Sequence, residues 1–162
     1  MGEYHMITRY IRTALIGFAL FLILVIGGLL LASRLFNFIL FAPRDLSLVV
    51  AAPQQTTVGA QVPLQITIAN EGEDALNIDH IEISRAYFRA MTVLSSDPPF
   101  LTEASSRNWE IYGYAISLAP GQSMDINLTA QAQTVGNYQG ELDVCVSDLR
   151  CRRVALVTRI EP

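Results

Sequence analysis

An apolar run, TALIGFALFLILVIGGLLLA, occupies residues 13–32 and contains no charged residue, Asn, Gln or Pro. With a rise of about 1.5 Å per residue, a helix of this length covers about 30 Å, the thickness of the hydrocarbon core of a bilayer. The run therefore predicts a single transmembrane helix within residues 13–42, with membrane lipid as its first partner. Residues 1–12 are expected to form a short N-terminal tail, and Pro43 is expected to end the helix and its interfacial extension.

The N-terminal end resembles a signal sequence, because Arg9 and Arg12 directly precede the apolar run. A cleaved signal peptide has an apolar core of about 7–15 residues and small residues at its cleavage site. This run is longer, and Leu30 lies where a small residue would be needed. The pattern thus favours an uncleaved signal-anchor. Arg34 and Arg44 nearly balance the charge on the other side, so the positive-inside rule gives little orientation.

Two features of the anchor suggest further contacts. Gly28 and Ala32 are four residues apart, a spacing of small residues that allows a second helix to approach closely. They are candidate helix-packing residues, although Gly and Ala are common in any membrane helix. After the run, three Phe residues indicate an interfacial segment, or a helix that continues tilted; these are Phe36, Phe38 and Phe41.

The remaining residues, 44–162, are acidic, with 8 Arg against 14 Asp and Glu and a net charge of −6. A nucleic-acid-binding domain needs clustered positive charge to contact phosphates. The composition therefore argues against nucleic acid as a partner.

The hydropathy of residues 44–162 alternates with a period of two, which is typical of half-buried strands. About eight strands are predicted, with no convincing helix between them. They are 45–51, 61–70, 76–84, 87–95, 108–118, 123–130, 138–146 and 152–160. This spacing predicts a mainly β chain, in which one antiparallel β-sandwich forms the extracytoplasmic domain 44–162.

Cys145 lies in the next-to-last predicted strand, and Cys151 directly precedes the last one. A hairpin that turns at residues 147–149 would place them opposite each other, within the distance that a disulfide spans. We expect a Cys145–Cys151 disulfide; two reduced thiols or a metal site are the alternatives. A disulfide indicates an oxidising compartment, which together with the domain type favours a cytoplasmic N-terminus and an extracytoplasmic C-terminal domain in the cell membrane.

Three motifs in this domain resemble prokaryotic immunoglobulin-like modules. The segment TVGAQV at 57–62 with its following strand and Asn70-Glu71-Gly72 resembles their opening, LAPGQS at 118–123 resembles a later strand start, and VGNYQG at 135–140 resembles their closing hairpin. CARDB-type and adhesion-related surface domains share this pattern. The resemblance implies an immunoglobulin-like β-sandwich. These motifs specify turns and strand starts, so they carry over no ligand or catalytic residue.

The chain contains few residues from which an active site could be built. His5 lies at the N-terminus, and His80 is expected to be a solvent-facing strand residue. No pattern of a catalytic triad, zinc protease or phosphate loop is present. We therefore expect no catalytic, cofactor-binding or metal-ligating residues. Carboxylates near one turn could ligate Ca²⁺, but a solvated turn explains them better; they are Glu71, Glu73, Asp74 and Asp79.

Strand parity places Tyr112 and Tyr114 together on one face, opposite Trp109 and Ile111. One of these faces must belong to the core. If the Tyr face is exposed, its rings offer a possible interaction surface for a sugar or a protein; packing in the core or at an edge is the alternative.

One anchor, a short linker between Phe41 and Leu46 and no catalytic set together predict a non-catalytic, single-pass membrane protein. Its β-sandwich is expected to mediate protein–protein contacts near the membrane, as an accessory or stabilising subunit of a larger complex. The first alternative is a cell-surface adhesion or glycan-binding module, and the second is a metal-delivery or enzymatic role. No cofactor is expected, and a small-molecule ligand is not favoured.

Overall fold

The computed structural model describes residues 3–40 and 42–162, and the side chains of residues 15–33 and 42–162. The chain divides into two compact units, residues 1–41 and residues 42–162. The side chains of the predicted interfacial segment, Phe36, Phe38 and Phe41, lie outside the described residues, as do those of Arg9 and Arg12.

The first unit contains helix α1, Glu3–Leu40. The helix therefore includes residues 3–12, which sequence analysis assigned to a short tail. Within it, Leu15–Ser33 is long and apolar enough to cross a membrane, a property that a signal sequence near an N-terminus shares. The described side chains of the helix are all exposed, as lipid-facing side chains would be.

The second unit, residues 42–162, folds into ten strands and one short helix, α2, Arg85–Phe88. The strands are β1 Leu46–Ala51, β2 Gln55–Thr57, β3 Gln61–Asn70, β4 Leu76–Ser84, β5 Met91–Asp97, β6 Thr102–Ser105, β7 Trp109–Leu118, β8 Ser123–Ala132, β9 Gly136–Ser147 and β10 Arg150–Glu161. They form a four-stranded sheet in the order β1-β3-β8-β5 and a six-stranded sheet in the order β2-β10-β9-β4-β7-β6. The predicted fold class, an apolar helix followed by a β-sandwich, is confirmed.

Three details of the sandwich differ from the prediction. Strands β2 and β6 were not predicted; each is short, lies at a sheet edge and has no buried residue that would give an alternating pattern. Strand β2 also pairs with β10 in parallel, so the six-stranded sheet is mixed rather than purely antiparallel. The expected strand at 87–95 begins only at Met91, because Tyr87 and Phe88 belong to α2, where both are buried.

The core lies between the two sheets and is filled by alternate side chains of the long strands. On β3, for example, Val62, Leu64, Ile66 and Ile68 are each at most 1 % exposed while their neighbours face outward. The six-stranded sheet contributes a second layer, which includes Ile81, Ile83, Tyr112, Leu142, Val144 and Leu156. Burial of each such side chain is worth about 1.5–3 kcal/mol, so the alternation seen in the sequence accounts for the core.

The Asn70-Glu71-Gly72 motif closes the turn between β3 and β4. Asn70 is buried, and its side-chain amide donates to the carbonyl oxygens of Asp74 (2.8 Å) and Leu118 (2.9 Å). Its side-chain oxygen accepts a hydrogen bond from the backbone N–H of Gly72 at 3.0 Å. The motif is thus structural, because both polar atoms of the buried Asn70 amide are paired, within the turn and with the end of β7.

Candidate interaction site around His80

His80 lies on the outer face of the six-stranded sheet, opposite Gly113 of β7 and Cys145 of β9. The register of β4 against β7 shifts at this point, so two residues rather than one separate the buried Ile78 from the buried Ile81. The prediction that His80 faces solvent is wrong: the neighbouring strands enclose the ring and leave 8 % of the residue exposed. The alternation of residues along a strand predicts on which side of the sheet a side chain lies. It does not predict whether neighbouring residues bury that side chain.

Both ring nitrogens of His80 face a carboxylate. Nδ1 lies 3.0 Å from Oδ2 of Asp79, and Nε2 lies 3.4 Å from Oε1 of Glu82. A neutral imidazole has one N–H donor and one acceptor nitrogen. The two carboxylates therefore hold the orientation of the ring, and only one of them can receive a hydrogen bond from it in the neutral form.

The hairpin that joins β9 and β10 places two further groups beside His80. Cys145 and Cys151 are directly opposite each other, with Cα atoms 4.0 Å apart, and form the expected disulfide. At the tip of the same hairpin, a carboxylate oxygen of Asp148 lies within 4.8 Å of ligand atoms of both Asp79 and His80. No local pattern in the sequence indicates this meeting, because Asp79 of strand β4 and Asp148 of the β9–β10 turn are far apart in the chain.

Two adjoining cavities open at this end of the sheet. One, of about 380 Å³, is lined by Asp79, His80, Leu101 and Asp148 among others; the second, of about 520 Å³, shares Asp79 and Asp148 with it. Leu101 and Leu149, beside the first cavity and at the hairpin tip, are 69 % and 66 % exposed. We refer to the patch formed by Asp79, His80, Leu101, Asp148 and Leu149 as the His80 surface.

An ion-pair cluster occupies the same outer face nearer the middle of the hairpin. Arg153 of β10 donates from Nε and Nη2 to the carboxylate of Asp143 at 2.8 and 2.6 Å and also contacts Glu141 at 3.0 Å. The guanidinium lies 5.4 Å from the centre of the Trp109 ring. Hydrogen bonding to Asp143, which is almost fully buried, raises the pKa of Arg153 above its ordinary value.

The prediction that Tyr112 and Tyr114 form an interaction surface is wrong. They are 3 % and 6 % exposed, because even-numbered residues of β7 face the core. The Tyr114 hydroxyl pairs with Ser96 Oγ at 2.8 Å, and the Tyr112 ring packs against Phe100 with centroids 5.1 Å apart. Burial raises the pKa of both phenols.

The other predicted positions remain predictions. Gly28 and Ala32 lie on α1, where Ala32 is exposed and a side chain added at Gly28 would meet no atom within 4 Å. Both positions are open to a second helix. Of the acidic residues near the β3–β4 turn, Glu71, Glu73 and Asp74 are exposed, and only Asp79 joins a cluster with His80.

Comparison with known proteins identifies the fold and no family. No family model and no curated protein matches the chain. Among solved structures, the cupredoxin domain of amoB from Nitrosocaldus yellowstonii aligns at 10 % identity over 75 % of this chain and 90 % of its own length, with a TM-score of 0.50. A CARDB domain from Pyrococcus furiosus, in complex with di-metal ions, aligns at 11 % identity over 72 % and 88 %, with a TM-score of 0.48.

At these identities the likeness extends to the fold alone. The expected resemblance is therefore supported at the level of a β-sandwich fold, and its finer assignment to one family is not. In its described residues, the chain combines one apolar N-terminal helix with a β-sandwich domain similar in fold to a solved cupredoxin domain.

Proposed function

We propose that the chain is a non-catalytic, single-pass membrane protein whose β-sandwich binds another protein through the His80 surface, as an accessory or stabilising subunit of a membrane complex. The observation that carries the proposal is the pair of exposed leucines, Leu101 and Leu149, beside a concave and acidic patch. Apolar side chains around a few fixed polar groups are typical of the centre of protein interfaces.

The position of this surface within the domain supports a partner in the same membrane. Leu46 of β1 pairs with Asn70 at the end of β3, and the next strand, β4, starts from the same end of the sandwich. Because β9 runs antiparallel to β4, its hairpin with β10 also turns at this end. The His80 surface thus lies at the end of the domain where its first strand, β1, begins, and in the sequence only a few residues separate this strand from the apolar helix.

We further propose that the N-terminus is cytoplasmic, the apolar helix is an uncleaved anchor and the sandwich is extracytoplasmic. The apolar length of Leu15–Ser33 supports the anchor. The Cys145–Cys151 disulfide supports an oxidising compartment for the domain.

The test is quantitative mass spectrometry of what co-purifies with the full-length protein after mild detergent extraction from its native membrane. We expect a stoichiometric set of membrane proteins with the wild-type chain and at least a tenfold loss of that set with the double variant L101S/L149S. The matched control is V49S/V157S, which removes two exposed apolar side chains, 63 % and 53 % exposed, away from the His80 surface. Recovery of a monomer alone, or equal recovery with both double variants, would contradict the proposal.

The glycan-binding alternative loses the residues on which it rested. A glycan-binding module was to use Tyr112 and Tyr114, whose rings are buried.

A further inference from the structure

Three side chains of metal-ligating type converge beside the smaller cavity of the His80 surface. One ligand atom from each of Asp79, His80 and Asp148 lies within 4.8 Å of the other two. We propose that these residues form a binding site for a divalent first-row transition metal such as Zn²⁺. An imidazole nitrogen combined with carboxylate oxygens suits these cations, whereas Ca²⁺ and Mg²⁺ prefer oxygen ligands alone.

The contacts of His80 leave one nitrogen suited to coordination. The hydrogen-bond contact of the ring is made by Nδ1, 3.0 Å from Oδ2 of Asp79, so a metal bound to Nδ1 would take the place of the proton between this nitrogen and the carboxylate. The ring proton would then be on Nε2, which lies 3.4 Å from Oε1 of Glu82. Histidines that bind metals almost always donate their other N–H to such an acceptor. Glu82 is accordingly a positioning residue, which acts through His80 rather than on the metal.

The hairpin holds the third ligand in place. Asp148 is in the two-residue turn between β9 and β10, three residues from each cysteine of the disulfide. Cys145 is in turn the register partner of His80 across β4 and β9. The disulfide therefore ties the turn to the strand that carries His80, which reduces the ordering that a metal would require on binding. It also occupies both sulfur atoms, so neither cysteine is a ligand in the oxidised protein.

The charge and space around the cluster fit a cation. The cavity of about 380 Å³ is lined by three carboxylate residues, Asp79, Glu82 and Asp148, and, among the described residues, by no basic residue other than His80. Arg153, on the same outer face, is bound to Asp143 and Glu141. Carboxylates that share a site repel one another, so a divalent cation between them would relieve that repulsion. The site is also open enough for water to complete the coordination.

The experiment is isothermal titration of the full-length protein in detergent, stripped with EDTA and dialysed, with Zn²⁺ alone at neutral pH. We expect one saturable equivalent of Zn²⁺ per chain. H80Q and D148N should each weaken binding at least tenfold, and E82Q by about tenfold as an outer-shell substitution. The matched control is D74N, which removes an exposed carboxylate in another turn and should leave the affinity unchanged.

Two further measurements keep the result interpretable. The melting temperature of each metal-free variant shows whether it folds. Because Asp148 lies in an exposed turn, D148N is expected to have the same melting temperature as the wild type. Co²⁺ absorption should show no thiolate charge-transfer band. Absence of saturable binding, equal affinity of D148N and wild type, or a thiolate band would overturn the proposed ligand set. No partner protein is involved, so failure here is distinct from failure of the interaction proposed above.

Discussion

At the scale of single residues, Arg153 stabilises the outer face of the six-stranded sheet through its ion pair with Asp143. It neutralises Asp143, whose side chain is 4 % exposed, while itself remaining 53 % exposed. Removing one partner of such a pair leaves a buried charge without compensation. Solvent around the guanidinium reduces the effect below that of a fully buried pair.

We therefore expect R153M to lower the free energy of unfolding by about 2 kcal/mol, and the double variant D143N/R153M to recover part of that loss because the uncompensated charge is gone. R152M, at the exposed neighbouring position, is the control and should change stability little. Thermal melting of the full-length protein in detergent, followed by near-ultraviolet circular dichroism, measures all three. Equal effects of R153M and R152M would contradict the role assigned to Arg153.

Tyr112 makes the stability of the domain sensitive to alkaline pH. Burial is the main cause that raises the pKa of its phenol, and the charges of Glu103 and Glu110 add to the rise. In the unfolded chain the phenol ionises near its ordinary pKa of about 10. The folded domain thus holds the proton more tightly, so this contribution to stability is complete below about pH 10 and is lost as the pH rises further.

We expect the melting temperature to fall as the pH is raised above about 10, and Y112F to fall less steeply because it has no proton to lose at that site. Between pH 7 and 9 the difference between Y112F and the wild type should be constant, which serves as the internal control. In the wild type, the ultraviolet absorption of the phenolate should appear at the same pH at which the folded structure is lost. A parallel decline of both proteins above pH 10 would show that Tyr112 does not contribute.

At the scale of elements, the β9–β10 hairpin supplies two residues of the His80 surface, Asp148 and Leu149. Its disulfide closes a loop with a sequence separation of six residues. A loop this small constrains the unfolded chain by about 2 kcal/mol in the chain-entropy treatment. The Asp148 turn then depends on the disulfide for its position beside His80.

We expect C145A/C151A to lower the melting temperature by roughly 5–10 °C and to weaken Zn²⁺ binding, since Asp148 is no longer held beside Asp79. The single variant V146A, on the same strand, is the control for a local packing change that leaves the disulfide intact. Differential scanning calorimetry and the Zn²⁺ titration measure the two effects. Unchanged stability in C145A/C151A would contradict the structural role of the disulfide.

The elements that sequence reasoning predicted best are those with one buried face. Strands β3 and β8 alternate strictly over their length, and each was assigned within two residues of its observed ends. Strands β2 and β6 were not predicted, because an edge strand needs only backbone pairing and leaves no hydrophobic pattern. Helix α2 was missed for a related reason: one helical turn is too short to show a period of 3.6 residues.

At the scale of the whole molecule, the prediction concerns topology. If the apolar helix is an uncleaved anchor with the sandwich outside, Cys145 and Cys151 should be oxidised in cells, and the domain should be accessible from the extracytoplasmic side. We expect a thiol-reactive mass tag to modify the full-length protein only after reduction. Protease added outside should digest the domain in spheroplasts while a cytoplasmic control protein stays intact. Free thiols in untreated cells, or a protected domain, would reverse the proposed orientation.

The sequence by itself determined the apolar helix, the β-sandwich and the disulfide. Each of these follows from a local pattern. The patterns are an uninterrupted apolar run, the alternation of apolar and polar residues with a period of two, and two cysteines on either side of one turn. Such patterns act within a single element or between neighbours in the chain, so they can be read without knowing what lies across the fold.

The candidate site was decided by the tertiary structure alone. Burial of Tyr112 and Tyr114 depends on which face of β7 meets the other sheet, a choice that alternation leaves open. The cluster at His80 joins Asp79 to Asp148, which are far apart in sequence and meet only because β4 pairs with β9. Strand pairing across the sheet brings these side chains together, and no pattern local to either residue contains that information.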